Sequence, residues 1–506
     1  MNTPTIKNDL NRAIALNYLY IILTNLSSIV LTRMLTQSLG LEQYGLYTLV
    51  IGIIAYILVV EFSIGTVIIK HVSEYREKGD KKAESRFLCS SMLAYILMCG
   101  VATIFCVVFY FVSPAVLAKQ TPEIIEQFRG MFAIAVLNFI VLFFQNFFFS
   151  IATGYEKHTF VRVIMLIKLL IRTTLIVLLL VYNFDAKWIF ITDLVLNSIS
   201  AIVFACYCFF SLGVRIRISF GNAGEFKSTL SYLMNVYGYM ILDNIFWNVG
   251  GIIFAYFGNV EDIGIYGIAM TFCMIFLQVT GMFAGYYLPD ITKMVVNEAT
   301  PEMFTDAMIK TGRFICMLVV LIIIGFAVAG EAFITVWAGE EFRPAFMVAL
   351  MIMLSQSFLQ VQCIGETMLQ ASNKYGFRLT LQGISTLTCC ILSFYMIKLF
   401  GLSGAWIGAV VPIVLFRIIT MNIYYAKQGI DIGRFFSEVV LRMLIIAAIC
   451  IGAAWLVQRT GISGILGMLI TLAATLAVYV ALLWILYLKA DEKTAVVSVF
   501  KKFRRA

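Results

Sequence analysis

The chain has 506 residues, of which 61% are hydrophobic and 13% charged, and its formal net charge is +9. Soluble domains carry roughly 25% charged residues, so half that share cannot cover a water-facing surface of this size, and lipid must be the solvent over most of the chain. The positive balance does not point to nucleic acid, because the bases sit in short segments between apolar runs, where membrane orientation explains them.

The first dozen residues are polar (MNTPTIKNDLNR), and the first apolar run carries Asn17 and Asn25 without a small-residue cleavage site soon after. It is expected to remain as a spanning helix rather than to act as a removable leader. A span needs about 20 mostly apolar residues. Fourteen such runs follow one another, at approximately 13–36, 44–69, 87–112, 128–152, 161–182, 188–212, 228–257, 264–289, 311–336, 345–368, 377–399, 402–426, 438–457 and 462–488. The chain is therefore expected to be an all-α polytopic membrane protein. Placing the N-terminus in the cytoplasm puts 27 of the 37 Lys and Arg residues in cytoplasmic segments, 7 outside and 3 within spans. That alternation predicts cytoplasmic location for both termini.

The eleven cysteines all fall in apolar runs, and the two histidines, His71 and His158, lack ligand spacing to them. They read as small buried hydrophobes, with no disulfide framework, metal site or cofactor expected. The segments between runs are short, leaving no room for a separate soluble domain.

Two local matches suggest an internal repeat. QYGLYTL (Gln43 to Leu49) resembles DIGIYGI (Asp262 to Ile268) at an offset of 219, and GYEKHTF resembles SNKYGF when Lys157 is set on Lys374, an offset of 217 that also sets Gln145 on Gln362. Six spans return the chain to the same side, so the halves are expected to be parallel repeats. The expected division is an N-lobe at 1–212, a C-lobe at 213–426, and two added helices with a tail at 427–506. This gives two six-helix lobes in pseudo-two-fold repeat.

The chain resembles the polysaccharide biosynthesis family of oligosaccharide flippases (Wzx-type), within the multidrug/oligosaccharidyl-lipid/polysaccharide exporter superfamily. The residues that carry the likeness are LTRMLTQSLGLEQYGLYTL, EFSIGTVIIKHVSEYREKGD, LDNIFWNVGGIIFAYFGNVEDIGIYGIA, VWAGEEFRPA and LFGLSGAWIGAVV. Glu61 stands where the family pattern has Asp, which keeps the charge. The resemblance implies lobes arranged in a V around a cavity open to one side at a time. It also implies transport of an undecaprenyl-pyrophosphate-linked oligosaccharide (an O-antigen, capsule or exopolysaccharide unit) across the bacterial inner membrane. Implied partners are that lipid-linked glycan, membrane lipid, and polysaccharide polymerase and chain-length proteins.

Ionisable residues at membrane depth are costly and face a cavity or a partner by default. Lys168 and Arg172 lie four residues apart on one helical face, and Arg417 sits within the twelfth run. They either form a hydrated cationic site for a pyrophosphate, which Arg grips bidentately, or pair with acids, for example Arg172 with Asp193. The other acids at depth are Glu61 and Asp243, read as ion-coupling or helix-pairing groups. Asn17 and Asn25, with Ser28 and Thr32, make a polar stripe that Asn235 and Asp243 repeat in the second half. Such stripes suit sugar hydroxyls or interhelical hydrogen bonds. Arg33 either lines the outer mouth or anchors the interface.

A membrane-embedded glycosyltransferase or polymerase would need sizeable loops bearing acid–base or metal-binding groups, which are lacking here. Within transporters, a peptidoglycan lipid II flippase shares the pyrophosphate chemistry. A multidrug exporter should instead favour acidic and aromatic cavity residues.

Overall fold

The computed structural model describes the backbone of residues 3–215, 223–296, 299–371, 375–459, 464–488 and 492–493. The side chains of 57–64, 223–237 and 282–290 are the longest internal stretches outside the description. The described residues are helical throughout, joined by short turns.

The first helix, α1 (Thr3–Glu77), is two arms broken at Gly40, whose φ of 73° and ψ of 175° suit a residue without Cβ. Then come α2 (Lys81–Val116), α3 (Pro122–Gly154), α4 (His158–Val181) and α5 (Ala186–Cys206), the last prolonged by a π-helical turn, Tyr207–Ser211. The second series is α6 (Ala223–Phe257), α7 (Val260–Val296), α8 (Pro301–Ala338), α9 (Ala345–Val361), α10 (Cys363–Ala371), α11 (Tyr375–Phe400), α12 (Leu402–Pro412) and α13 (Thr420–Lys427). A π-helical stretch, Ile413–Ile419, fuses α12 to α13. The chain closes with α14 (Ile432–Phe435), α15 (Arg442–Gln458) and α16 (Gly464–Leu482). Thirteen of the described helical stretches are long and apolar enough to cross a membrane, and the first contains the Gly40 break, so its two arms bring the spans to fourteen. The protein is a multi-pass helical membrane protein.

Local chemistry sets the boundaries. Thr121 and Thr300 cap α3 and α8 by accepting from Ile124 and Met303 amides, and each is followed by Pro at the first helical position. Asp80 caps α2 by accepting from Lys82 and Ala83. Inside α3, Phe128, Phe132, Phe139, Phe143 and Phe147 fall at near-helical spacing and are buried, and the Tyr95 ring meets Phe143 and Phe147 edge-on at 5.6 and 5.4 Å. In lipid such close packing, rather than water exclusion, holds helices together.

The two series repeat. At the offset of 217, His158 at the start of α4 corresponds to Tyr375 of α11, and Gly154 at the end of α3 to Ala371 of α10. A contact repeats as well. Cys208 donates to the carbonyl of Phe148, and their counterparts at the same offset are Tyr425 and Gly365, where a Cβ on the glycine would lie 2.5 Å from the tyrosine ring.

By packing, the chain divides into two compact units, residues 1–267 and 268–506, with the division inside α7. In the first unit α6 and the opening turns of α7 pack against α1. A Cβ on Gly45 would lie 2.2 Å from the carbonyl of Val260, and one on Gly264 would lie 3.0 Å from that of Leu41. These residues exchange with one another at an offset of 219, so the second arm of α1 and the start of α7 cross as a local two-fold pair. Glycine at both positions lets the backbones touch. In the second unit Arg313 of α8, only 1% exposed, pairs with Glu492 at 2.9 Å, donates to the Tyr487 and Glu438 carbonyls, and lies over the Tyr487 ring.

Candidate functional site

In the first unit, four helices bring their polar positions together. Lys168 and Arg172 stand ten and fourteen residues into α4, which has 24 residues. At about 1.5 Å per residue they sit near its middle. Arg172 grips Asp193 of α5 with two parallel hydrogen bonds, the Nη2 to Oδ2 distance being 2.8 Å. Tyr47 of α1 lies beside the same guanidinium, and its ring meets Phe190 at 5.5 Å. Lys168 Nζ donates to the amide oxygen of Gln145 on α3 at 3.1 Å. One heptad before Gln145 on α3, Asn138 accepts from Asn197 of α5 at 2.6 Å. Helices α3, α4 and α5 thus each add a short polar stripe: Asn138 and Gln145, Lys168 and Arg172, Asp193 and Asn197.

The node is not wholly buried. The side chains of Arg172 and Asp193 keep 30% and 19% of their exposure, and Lys168 is half-buried. Exposed charge at mid-span cannot face hydrocarbon at a cost of about 2.5–3.5 kcal/mol per group, so that surface borders water. Among the described residues two bases oppose one acid, which leaves the node positive by one.

The other sequence-predicted residues fall elsewhere. Asn17 and Asn25 are half-buried on the first arm of α1, and the Asn25 amide donates to the Ile21 carbonyl at 2.9 Å. Arg33 is exposed on that arm. Asp243 on α6 accepts from the Trp247 indole at 3.2 Å, and Asn248 donates to Asn244 one turn back. The side chains of Glu61 and Asn235 lie outside the described residues. Arg417 belongs to the second unit, half-buried in the π-helical stretch after Pro412. Among the described residues no group of three or more His, Cys, Asp or Glu side chains is placed to hold a metal ion.

Sequence reasoning singled out Lys168, Arg172 and Asp193 and missed Tyr47 and Asn197 in the same node. Gln145 was visible only as a repeat match. At the turn beyond α3, the Tyr155 hydroxyl hydrogen-bonds the Glu84 carboxylate. Burial, and then that carboxylate, push the phenol upward, so it stays protonated and ties the end of α3 to α2.

The profile of the family described as "Polysaccharide biosynthesis protein" matches residues 10–295, more than half of the chain. The class defined by fold and site is a multi-pass helical membrane protein with a cationic polar node in its first repeat. Within it, this chain belongs to the polysaccharide biosynthesis protein family. No curated protein matches it in sequence. In structure it is similar to the lipid II flippase MurJ in an inward closed conformation, at a TM-score of 0.69 and 14% identity, covering 93% of this chain and 99% of that one. It is also similar to an inward-facing multidrug resistance MATE family transporter of the MOP superfamily, at a TM-score of 0.65 and 14% identity, covering 79% and 94%. The Vibrio cholerae MATE transporter VcmN in its bent form aligns at a TM-score of 0.52 and 12% identity, covering 84% and 98%. At these identities the likeness establishes the fold.

Proposed function

We propose that this protein is a flippase that carries an undecaprenyl-pyrophosphate-linked oligosaccharide, an O-antigen, capsule or exopolysaccharide unit, across the bacterial inner membrane by alternating access. The supporting observation is the charge balance of the hydrated node, where Lys168 and Arg172 face the single carboxylate of Asp193. A pyrophosphate brings several charged acceptor oxygens, and a net positive site at membrane depth complements it. The work is translocation rather than bond making, so the chain is read as a transporter and not an enzyme.

In this reading the lobes at 1–212 and 213–426 alternate, with 427–506 appended and both termini cytoplasmic. Lys168 meets the phosphates while Arg172 holds the node together through Asp193. Arg33, Arg417, Asn17, Asn25 and Asn235 are proposed as further head-group contacts. Glu61 and Asp243 pair helices or couple an ion. Polysaccharide polymerase and chain-length proteins act on the product beyond the membrane.

A second reading, peptidoglycan lipid II transport, has the likeness to MurJ in its favour and the same phosphate chemistry. Depletion separates the two. Accumulation of a polyprenyl-pyrophosphate glycan with loss of surface polysaccharide and survival supports the first. Accumulation of the peptidoglycan precursor with lysis supports the second. Efflux of cationic drugs without either accumulation contradicts both.

A further inference from the structure

The repeat places a glutamine at the same position in each half, Gln145 on α3 and Gln362 between α9 and α10. Both are almost wholly buried, at 2% and 4% exposure. Their partners differ. Gln362 exchanges hydrogen bonds with Asn422 at 2.8 and 3.3 Å, an amide closing on an amide. Gln145 accepts from the Lys168 ammonium at 3.1 Å. At the repeat offset of 217, Lys168 and Arg172 correspond to Ser385 and Cys389, so the two bases belong to the first repeat alone.

An ammonium has three donors and no acceptor. At mid-span it needs a fixed partner, and the chain could have supplied a carboxylate, as it does for Arg172. Both oxygens of Asp193 are engaged by Arg172, and Lys168 is given a neutral oxygen instead. A neutral acceptor orients the ammonium without cancelling its charge. A glutamate of the same shape would bring a full negative charge to the same distance.

We infer that Gln145 is a positioning residue that sets anion selectivity: it fixes the Lys168 ammonium while leaving its charge for a pyrophosphate group. This rests on the flippase reading above and deepens it. The amide is the specificity device and the lysine is the phosphate contact. The Arg172–Asp193 pair is the frame around them.

The test uses the full-length protein in lipid nanodiscs and two probes of equal chain length, a polyprenyl pyrophosphate and the uncharged polyprenol. Wild type is expected to prefer the pyrophosphate at least tenfold. Gln145→Glu and Lys168→Gln should each remove most of that preference and leave polyprenol binding unchanged. The double variant Gln145→Met with Lys168→Gln should be no weaker than Lys168→Gln alone, because the amide acts only through the lysine's charge. Gln145→Met keeps the volume and removes the acceptor, so it should lose less preference than Gln145→Glu. The inference is overturned if Gln145→Glu keeps the wild-type preference or weakens both probes alike. It is also overturned if Gln145→Met loses more than Gln145→Glu, or if the double variant adds a second full loss. Wild type showing no preference would overturn the pyrophosphate reading itself, whatever Gln145 does.

Discussion

Arg172 and Arg313 show how one residue type does different work. Arg172 shares a partly hydrated node with Asp193. Asp193→Asn should remove one charge-assisted bidentate contact, worth about 1.5–3 kcal/mol, and lower the melting temperature of the purified protein. Exchanging the pair, Arg172→Asp with Asp193→Arg, should recover part of that loss, whereas Arg172→Lys should not, because an ammonium cannot make the planar fork. Arg313 is buried against Glu492, which is about a third exposed. Glu492→Gln removes the carboxylate paired with that guanidinium and should cost about 3 kcal/mol, the lower end for a buried pair. Glu331→Gln, which breaks the exposed pair with Arg343, should change the melting temperature little. The contrast between these residues was only partly legible in the sequence. Mid-span position marked Arg172 and an acid for it. Arg313 read as one more loop base, because its partner lies 179 residues away and no local pattern links them.

At the scale of elements, hydropathy read well and close approach did not. The fourteen apolar runs lie on helical chain and overhang it by no more than about two residues, the tenth crossing from α9 into α10, because a lipid-solvated span must be apolar along its own length. The break between the first two runs lies where Gly40 supplies a positive φ. The crossing of α1 and α7 depends on backbone distance, which hydropathy does not carry. The repeat did put Gly45 and Gly264 in register, but their shared contact appears only in the fold. Gly45→Ala would drive a Cβ into the Val260 carbonyl and should destabilise the protein by about 1–3 kcal/mol. Gly100→Ala, in open space on α2, should be neutral or stabilising by up to about 1 kcal/mol. Paired thermal melts in one detergent check both.

For the whole molecule, an even number of spans returns the chain to the side on which it began, and the distribution of bases is the ground for proposing that this side is the cytoplasm. Tags at the two ends should therefore resist protease added outside intact spheroplasts and become cleavable once the membrane is opened; cleavage of either tag in intact spheroplasts would refute the topology. Family and fold set the class of molecule, while in the proposed reading cargo depends on a few side chains at membrane depth. Those side chains were legible as candidates because charge in a span is rare, but their pairing required the helices to be assembled. Translocation of a fluorescent polyprenyl-pyrophosphate oligosaccharide in proteoliposomes, comparing wild type with Lys168→Gln at equal protein, decides whether the node carries anionic cargo. Wild type should move the lipid between leaflets and Lys168→Gln should fall at least tenfold behind; equal rates for the two would refute a cationic passage built on Lys168.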